Sequence, residues 1–369
     1  MESNKDYILS GVYSIPIFDK YILDSRRLIY SNDDTIVFYG FEKDTKENIA
    51  LKLKKKFKSD SKYLLKEFKI YKELQGIERI PKVYTVGDQN LYRILITEYL
   101  GYSLQDIIKY LGGKFSLTTT LKISIQVLKI IKEIHERGVV LRYLKPGNMV
   151  IGKGKNRHYI YLLDFEIAKK YIKNGEHIPY KENKSVKGNR VYISINVHCG
   201  KEISRRDDIE SFGYNLIYFV KGKLPWSNLK DSHSIRNKKI QTSLDELCEG
   251  LPDEFKEFIK YARGLEFTQE PDYNYLNELL LKVAEKNSID IEKDKYDWTR
   301  DDKKKEDEKE ENKNKTLIAK KDEKNDIIEI EKKIKKIEIE EKKEEAHIDM
   351  ANKGDDELSK IKNINKENE

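Results

Sequence analysis

Residues 135–152 read HERGVVLRYLKPGNMVIG, and residues 159–171 follow with YIYLLDFEIAKKY. The first stretch sets Lys145 and Asn148 in a loop marked by Pro and Gly, directly after an amphipathic helical pattern over 117–137. The second is an apolar, strand-like run ending on the Asp164 carboxylate. Asn and Asp oxygens are hard donors of the kind Mg²⁺ takes beside phosphate oxygens. A loop carrying a lysine and an asparagine, followed by a strand ending in a carboxylate, is therefore a candidate phosphate and metal site.

Working outward, the segments YILDSRRLIY (21–30), TIVFYGF (35–41) and NIALKLK (48–54) alternate and punctuate like strands. LLKEFKIYKELQG (64–76) has helical spacing and a Gly stop, and LYRILITEYL (91–100) is again rich in β-formers. Downstream, ISRRDDIESFGYNLIYFVKG (203–222) reads as a helix apolar enough to be buried. The expectation is an α+β, bilobal body: a small β-rich lobe at about 21–98 and a larger helical lobe at about 102–298, with residues 1–20 as an extension. In the small lobe Lys52 closes a strand-like run and Glu67 lies in the next helix, a pairing that can position nucleotide phosphates.

Residues 299–369 form a low-complexity tail of Lys, Glu and Asn, too polar to offset the entropy of ordering. Within it, Ile327, Ile330, Ile334 and Ile337 recur at 3-4-3 spacing, which marks 326–341 as a short helix or docking segment. The chain is expected to be a monomer, or to self-associate weakly through this tail.

The net charge is +7, yet the tail from Asp301 carries 19 Lys against 23 Asp and Glu, so the positive excess belongs to the body. Such a body favours anionic partners, acidic or phosphorylated proteins first. Nucleic acid is the weaker expectation, because the charged run KLKKKFKSDSKYLLK (52–66) falls on a strand and a helix entry and reads as a solvated face. No run of about 18 apolar residues suggests a membrane span. Cys199 and Cys248 lie far apart outside any metal-spaced cluster, and no secretory signal is evident, so the cytoplasm or nucleus is expected.

Longer stretches sharpen the reading. Residues 177–226 read HIPYKENKSVKGNRVYISINVHCGKEISRRDDIESFGYNLIYFVKGKLPW, with SIN at 194–196; LGYSL stands at 100–104 and PDYNYL at 271–276. Over about 21–298 the chain resembles eukaryotic protein kinases, and among them the casein kinase 1 family. The resemblance implies roles for the matching residues. Lys52 would anchor phosphates with Glu67 as its partner, Thr97 would gate the adenine pocket, and Glu98 to Leu100 would form the hinge. Asn148 and Asp164 would hold Mg²⁺, and Lys145 would contact the transferred phosphate of ATP. Glu202 and Arg263 would form a buried ion pair holding the substrate-side loop, and Asp208 would brace the catalytic loop.

Three departures bear on activity. The family's catalytic Asp is replaced by Tyr143 within Leu141-Arg142-Tyr143. A phenol, ionising near pH 10, is a poor base at neutral pH, and loss of a positioned base costs about 10²- to 10⁴-fold in rate. Leu141, where the family has His, can complete an apolar stack under Phe165. The three glycines of the nucleotide-covering loop become Tyr30, Asn32 and Thr35, and Asp33 and Asp34 add negative charge. Glu166 replaces the Gly after Asp164-Phe165, and three placements stay open for it: repelling phosphate, occupying the metal site, or facing solvent. In the family's Gly-Thr-Ala-Arg-Tyr motif the arginine is displaced by one place to Arg190, which in extended backbone turns it to the opposite face. The expected function is that of a pseudokinase, a binding, scaffold or regulatory protein whose partner is an active kinase or a phosphoprotein, with ATP and Mg²⁺ binding weakened. The alternative is a divergent active serine/threonine kinase for acidic or primed substrates.

Overall fold

The computed structural model describes residues 14–56 and 61–302. The tail beyond 302, including the helix expected at 326–341, lies outside the described residues. The N-terminal lobe is one antiparallel sheet in the order β1-β2-β3-β4-β6-β5. Its strands are β1 (Ser14–Ile17), β2 (Tyr21–Ser31), β3 (Ile36–Glu42), β4 (Asn48–Lys55), β5 (Val83–Gln89) and β6 (Tyr92–Glu98). The boundary at residue 21 needs correcting, since Ser14 to Ile17 pair in register with Asp24 to Tyr21 and Ile17 is buried. Strand β5, between Pro81 and the β6 run, was not foreseen.

Strand alternation positions the site. On β4, Ile49, Leu51 and Leu53 are buried with Leu23, Ile94 and Ile96 in the core of this lobe. Lys52 and Lys54 therefore project from the opposite face, toward helix α1 (Lys62–Leu74) and the cleft. Leu64, Ile70, Tyr71 and Leu74 of α1 face inward, and Glu67 is buried among them.

The C-terminal lobe holds α2 (Leu104–Tyr110), α3 (Leu117–Glu136), α4 (Ile195–His198), α5 (Arg205–Lys221), α6 (Ser232–Gln241), α7 (Leu244–Cys248), α8 (Asp253–Gly264) and α9 (Tyr273–Lys286). Helix α3 begins where Ser116 accepts a hydrogen bond from the Thr119 amide, and α5 ends on Gly222 in the left-handed conformation. Phe212, Leu216 and Phe219 of α5 join Phe255 and Phe258 of α8 and the apolar face of α3 in the main core. The cleft-side loops hang on this core: β7 (Val139–Val140), then Leu141 to Asn148, then the hairpin of β8 (Met149–Ile151) and β9 (Ile160–Leu162). Among the described residues no helix is long and apolar enough to cross a membrane. Cys199 is exposed, Cys248 is buried, and both are free thiols.

Candidate active site

Lys52 is the hub of the cleft. Its Nζ donates to Glu67 Oε2 at 2.8 Å and to Asp164 Oδ1 at 3.0 Å, and stands 3.3 Å from Glu166 Oε2. Burial alone would discharge this lysine, but Asp164, Glu67 and Glu166 together outweigh it and hold its pKa well above the ordinary value. Burial, aided by the Asp164 and Glu166 charges, pushes Glu67 up to about 7 against the pull of Lys52. Burial also opposes ionisation of Asp164, yet Lys52 and Lys145 prevail and keep its carboxyl below the usual range.

The structure turns Glu166 toward the lysines of β4. Its other oxygen accepts a 2.6 Å hydrogen bond from Lys54, a residue buried on the same face of β4 as Lys52. Glu166 thus turns inward onto two lysines and is the third carboxylate around Lys52. Glu67, Asp164 and Glu166 each place an oxygen within 4.8 Å of the others. Lys54 was missed in the sequence reading, and its one signal was the two-residue spacing from Lys52.

Asp164 adopts a left-handed backbone (φ 66°), and its amide donates to Tyr71 Oη at 3.4 Å. Tyr71 meets the ring of Phe165 edge-on, 4.8 Å between centroids. Phe165 and Leu141 are both buried in the main core.

In the catalytic loop, Lys145 Nζ donates to Tyr143 Oη at 3.3 Å and sits 4.5 Å from the Tyr143 ring centroid. The two residues that would handle the substrate hydroxyl and the moving phosphate are thus paired with each other. Asn148 Nδ2 donates to the Tyr143 carbonyl at 3.0 Å, so the donor end of this amide is the one fixed by the loop. Asp208 braces the loop: Oδ2 accepts from the Leu141 amide at 2.6 Å and Oδ1 from the Arg142 amide at 2.9 Å. His135, not singled out beforehand, lies 3.0 Å from Asp208 Oδ2 through Nε2 and 2.7 Å from Tyr273 Oη through Nδ1.

Tyr30, Asn32 and Thr35 stand at the β2–β3 hairpin, where the glycines were expected. The Asn32 side-chain oxygen accepts from the amides of Asp34 at 3.0 Å and Thr35 at 2.8 Å, while the Asn32 amide donates to the Thr35 carbonyl at 2.9 Å. A phosphate cradle relies on backbone amides pointing at the anion; here two of them are turned onto an asparagine of the same turn.

The hinge follows β6. Thr97 lies on that strand opposite Ala50, Glu98 binds Lys82 through its amide and its carboxylate, and Leu100 packs with Val150 and Tyr161.

Two expectations are corrected. Glu202 does not pair with Arg263: it accepts from Lys169 at 2.8 Å and lies 3.5 Å from Lys184. Arg263 instead reaches Tyr214 Oη at 3.0 Å and lies 3.7 Å from Glu210, whose carboxylate also holds the Ile195 amide at 3.0 Å. Helix α5 carries Glu210 beneath the Ile195 amide, whereas Glu202 precedes that helix and reaches the lysines at 169 and 184. The second correction concerns Arg190. Its segment is a turn closed by the Tyr192 and Ile193 amides on the Asn189 carbonyl, not extended backbone, and Arg190 is exposed.

This geometry, a curled sheet over a helical lobe with a strand lysine, helix glutamate, loop asparagine and strand-end aspartate converging on one cleft, is that of a protein kinase. The protein kinase domain family matches residues 33–271, and the chain belongs to it as a casein kinase 1-like member. It is 41% identical over 273 residues to Casein kinase I homolog 2 of Schizosaccharomyces pombe, covering 71% of this chain and 62% of the relative. It is 40% identical over 273 residues to Casein kinase I homolog 1 of the same yeast, covering 71% and 61%. The chain therefore spans about three fifths of the length of these relatives.

Proposed function

We propose that this protein is a casein kinase 1-like pseudokinase, a binding or regulatory protein whose phosphoryl transfer is absent or strongly impaired. One observation carries the reading: Lys52, the cation that would anchor nucleotide phosphates, is already surrounded by three carboxylates, one of them locked in place by Lys54. Rate enhancement in phosphoryl transfer is mostly positioning and charge stabilisation, so a cleft that neutralises itself loses the main contribution. Tyr143 in place of a carboxylate and the Asn32-closed hairpin act in the same direction.

Asn148 and Asp164 have the oxygen chemistry to hold Mg²⁺ and would do so; the hairpin does not fit the phosphates as a glycine loop would. ATP would supply the phosphoryl group, and weakened binding of nucleotide and metal follows from the competing internal anions. The positive body suits an acidic or phosphorylated protein partner in the cytoplasm or nucleus.

A divergent active kinase for acidic or primed substrates has the closed Lys52–Glu67 pair and the Asp208 brace in its favour. It needs a base at the place of Tyr143, and the neighbouring carboxylates Asp164 and Glu166 are both engaged by lysines. Radiolabelled phosphate transfer by the full chain with Mg²⁺ or Mn²⁺, run beside Asp164→Ala, separates the two. The expected result is no transfer above the Asp164→Ala background; robust transfer lost in that variant would overturn the pseudokinase reading.

A further inference from the structure

Tyr102 and Tyr110 are the most exposed large aromatic or aliphatic side chains among the described residues, at 74% and 73%; the next, Ile240, stands at 54%. They bracket helix α2, whose seven residues rise about 10 Å. Aromatic rings kept in water at both ends of one short helix gain apolar burial only from a partner. Both rings are presented on fixed backbone. The Gly101 amide donates to the Ile151 carbonyl at 2.8 Å and the Ile151 amide to the Tyr102 carbonyl at 3.0 Å, which stitches the Tyr102 stretch to β8. After Tyr110, the Leu111 amide closes on the Ile107 carbonyl at 2.9 Å and the Gly113 amide on the Ile108 carbonyl at 2.8 Å.

The lysines around the rings lie at the two ends of the helix. Lys109 and Lys114 flank Tyr110, and the loop of Lys114 is held by the Phe115 amide on the Phe219 carbonyl at 2.7 Å. Lys153 and Lys155 lie in the turn that joins β8 to β9. That turn meets the Tyr102 stretch where Gly101 packs on the Gly152 carbonyl, 2.9 Å from an added Cβ. All four lysines are exposed, and among the described residues none forms a salt bridge. Lys153 Nζ sits 4.1 Å from the Tyr99 ring centroid, and burial together with the Arg27 charge lowers its pKa. Between the rings stands the exposed Asp106, which accepts from the Ser103 hydroxyl at 2.5 Å. The strip is thus cationic at each end and anionic at its centre, with a ring at each cationic end.

That order of charge discriminates among anionic partners. Single-stranded nucleic acid stacks on exposed aromatics, but its evenly charged backbone would set phosphate against Asp106. A protein segment can place carboxylates at its two ends and an uncharged or basic residue between them.

We propose that Tyr102, Tyr110 and these four lysines form a docking strip for an extended acidic segment of a partner protein. Its carboxylates lie toward Lys153 and Lys155 at one end and Lys109 and Lys114 at the other, with a neutral or basic residue over Asp106. Its apolar groups cover the two rings, and tyrosines are among the side chains that dominate interface energies. The strip deepens the proposed binding role by giving it a location. It uses none of Lys52, Asn148 or Asp164, and its test involves no phosphate transfer, so either reading can fail alone.

The test uses the full chain and a fluorescent peptide with glutamates at both ends and phenylalanine and lysine at its centre, followed by anisotropy. Tyr102→Ala and Tyr110→Ala are each expected to weaken binding about tenfold or more. Lys109→Gln and Lys155→Gln are expected to weaken it less and to flatten its dependence on salt. Ile240→Ala, at an exposed position on α6, is expected to leave it unchanged, and all variants to melt with the parent chain. A peptide of inverted order, with lysines at both ends and glutamate at its centre, is expected not to bind. Equal affinity for the two peptides, or no binding up to about 1 mM, overturns the proposal, as does unchanged affinity in the tyrosine variants. Oligouridine that binds more tightly than the peptide and is lost in the same variants also overturns it, since the strip then serves nucleic acid. A dimer in sedimentation that Tyr110→Ala dissolves does so too, since the strip then serves a second copy.

Discussion

Glu166 accepts a 2.6 Å hydrogen bond from Lys54 and stands 3.3 Å from Lys52, so two ammonium groups of one strand close on a carboxylate 112 positions away from Lys54. Removing that carboxylate should release Lys52 toward an external anion. Glu166→Gly is expected to increase the thermal shift produced by Mg-ATP. It also leaves Lys54 buried without its partner, a loss of about 1–3 kcal/mol in urea unfolding. Adding Lys54→Met should restore most of that stability and keep the gain in nucleotide binding. No added shift in the double variant would count against an internal anion at this position.

Tyr143→Asp alone is expected to change transfer little, because Lys52 stays engaged. Combined with Glu166→Gly, it should raise transfer of labelled phosphate at least about 10²-fold over either single change, the lower end of what a positioned base commands. Equal rates in the single and double variants would show that the two sites are not coupled through the cleft.

Asp208 gathers the Leu141 amide, the Arg142 amide and His135 within hydrogen-bond reach, and Asp208, Leu141 and His135 are buried. Asp208→Ala leaves these groups unanswered and is expected to cost about 3–5 kcal/mol. Denaturant unfolding reads the loss, and hydrogen exchange should show it concentrated at residues 138–148.

Gly40 lies on β3 against the Ile22 backbone, and a Cβ there would fall well inside van der Waals distance of the Ile22 carbonyl and Leu51. Gly40→Ala should destabilise by about 1–3 kcal/mol through overpacking, with calorimetry showing a lower melting temperature.

His198 Nε2 meets the Arg190 carbonyl at 2.9 Å, which fixes the proton there, while the buried Nδ1 has no partner. Burial, with the charges of Lys239, Arg236 and Arg190, lowers its pKa from 6.5 to about 4 despite the pull of the Arg190 carbonyl. The folded pKa lies below the unfolded one, so the contribution is full above pH 6.5 and is lost as pH falls toward 4. Stability should decline by up to about 1.4 kcal/mol per pH unit across that window. His198→Gln is expected to flatten this part of the profile of urea midpoint against pH; an unchanged slope would place the dependence elsewhere.

Local pattern made much of this legible. The strand run NIALKLK and the helix after it set Lys52 and Glu67 on facing surfaces, and the observed 2.8 Å pair follows from alternation and helical spacing. Contacts between distant segments were not legible. Nothing in a linear reading brings Lys54 to Glu166, or gathers Arg142, Lys169 and Lys187 around one cavity. The resemblance pointed to Glu202 for Arg263, since position in a motif does not say that α5 carries Glu210 to that arginine. The Asn32 closure had a visible sign, since the SNDDT stretch is turn chemistry with asparagine at its start. It was read for the glycines it lacks rather than for the bonds it makes.

The hairpin that closes on Asn32 has a consequence for signalling. A flexible glycine loop settles when its ligand arrives, and the loss of motion is itself information that the rest of a molecule can register. A turn already tied by its own side chain has little motion left to surrender. An occupied cleft would therefore draw little change from the β2–β3 ribbon, whose turn Asn32 already ties.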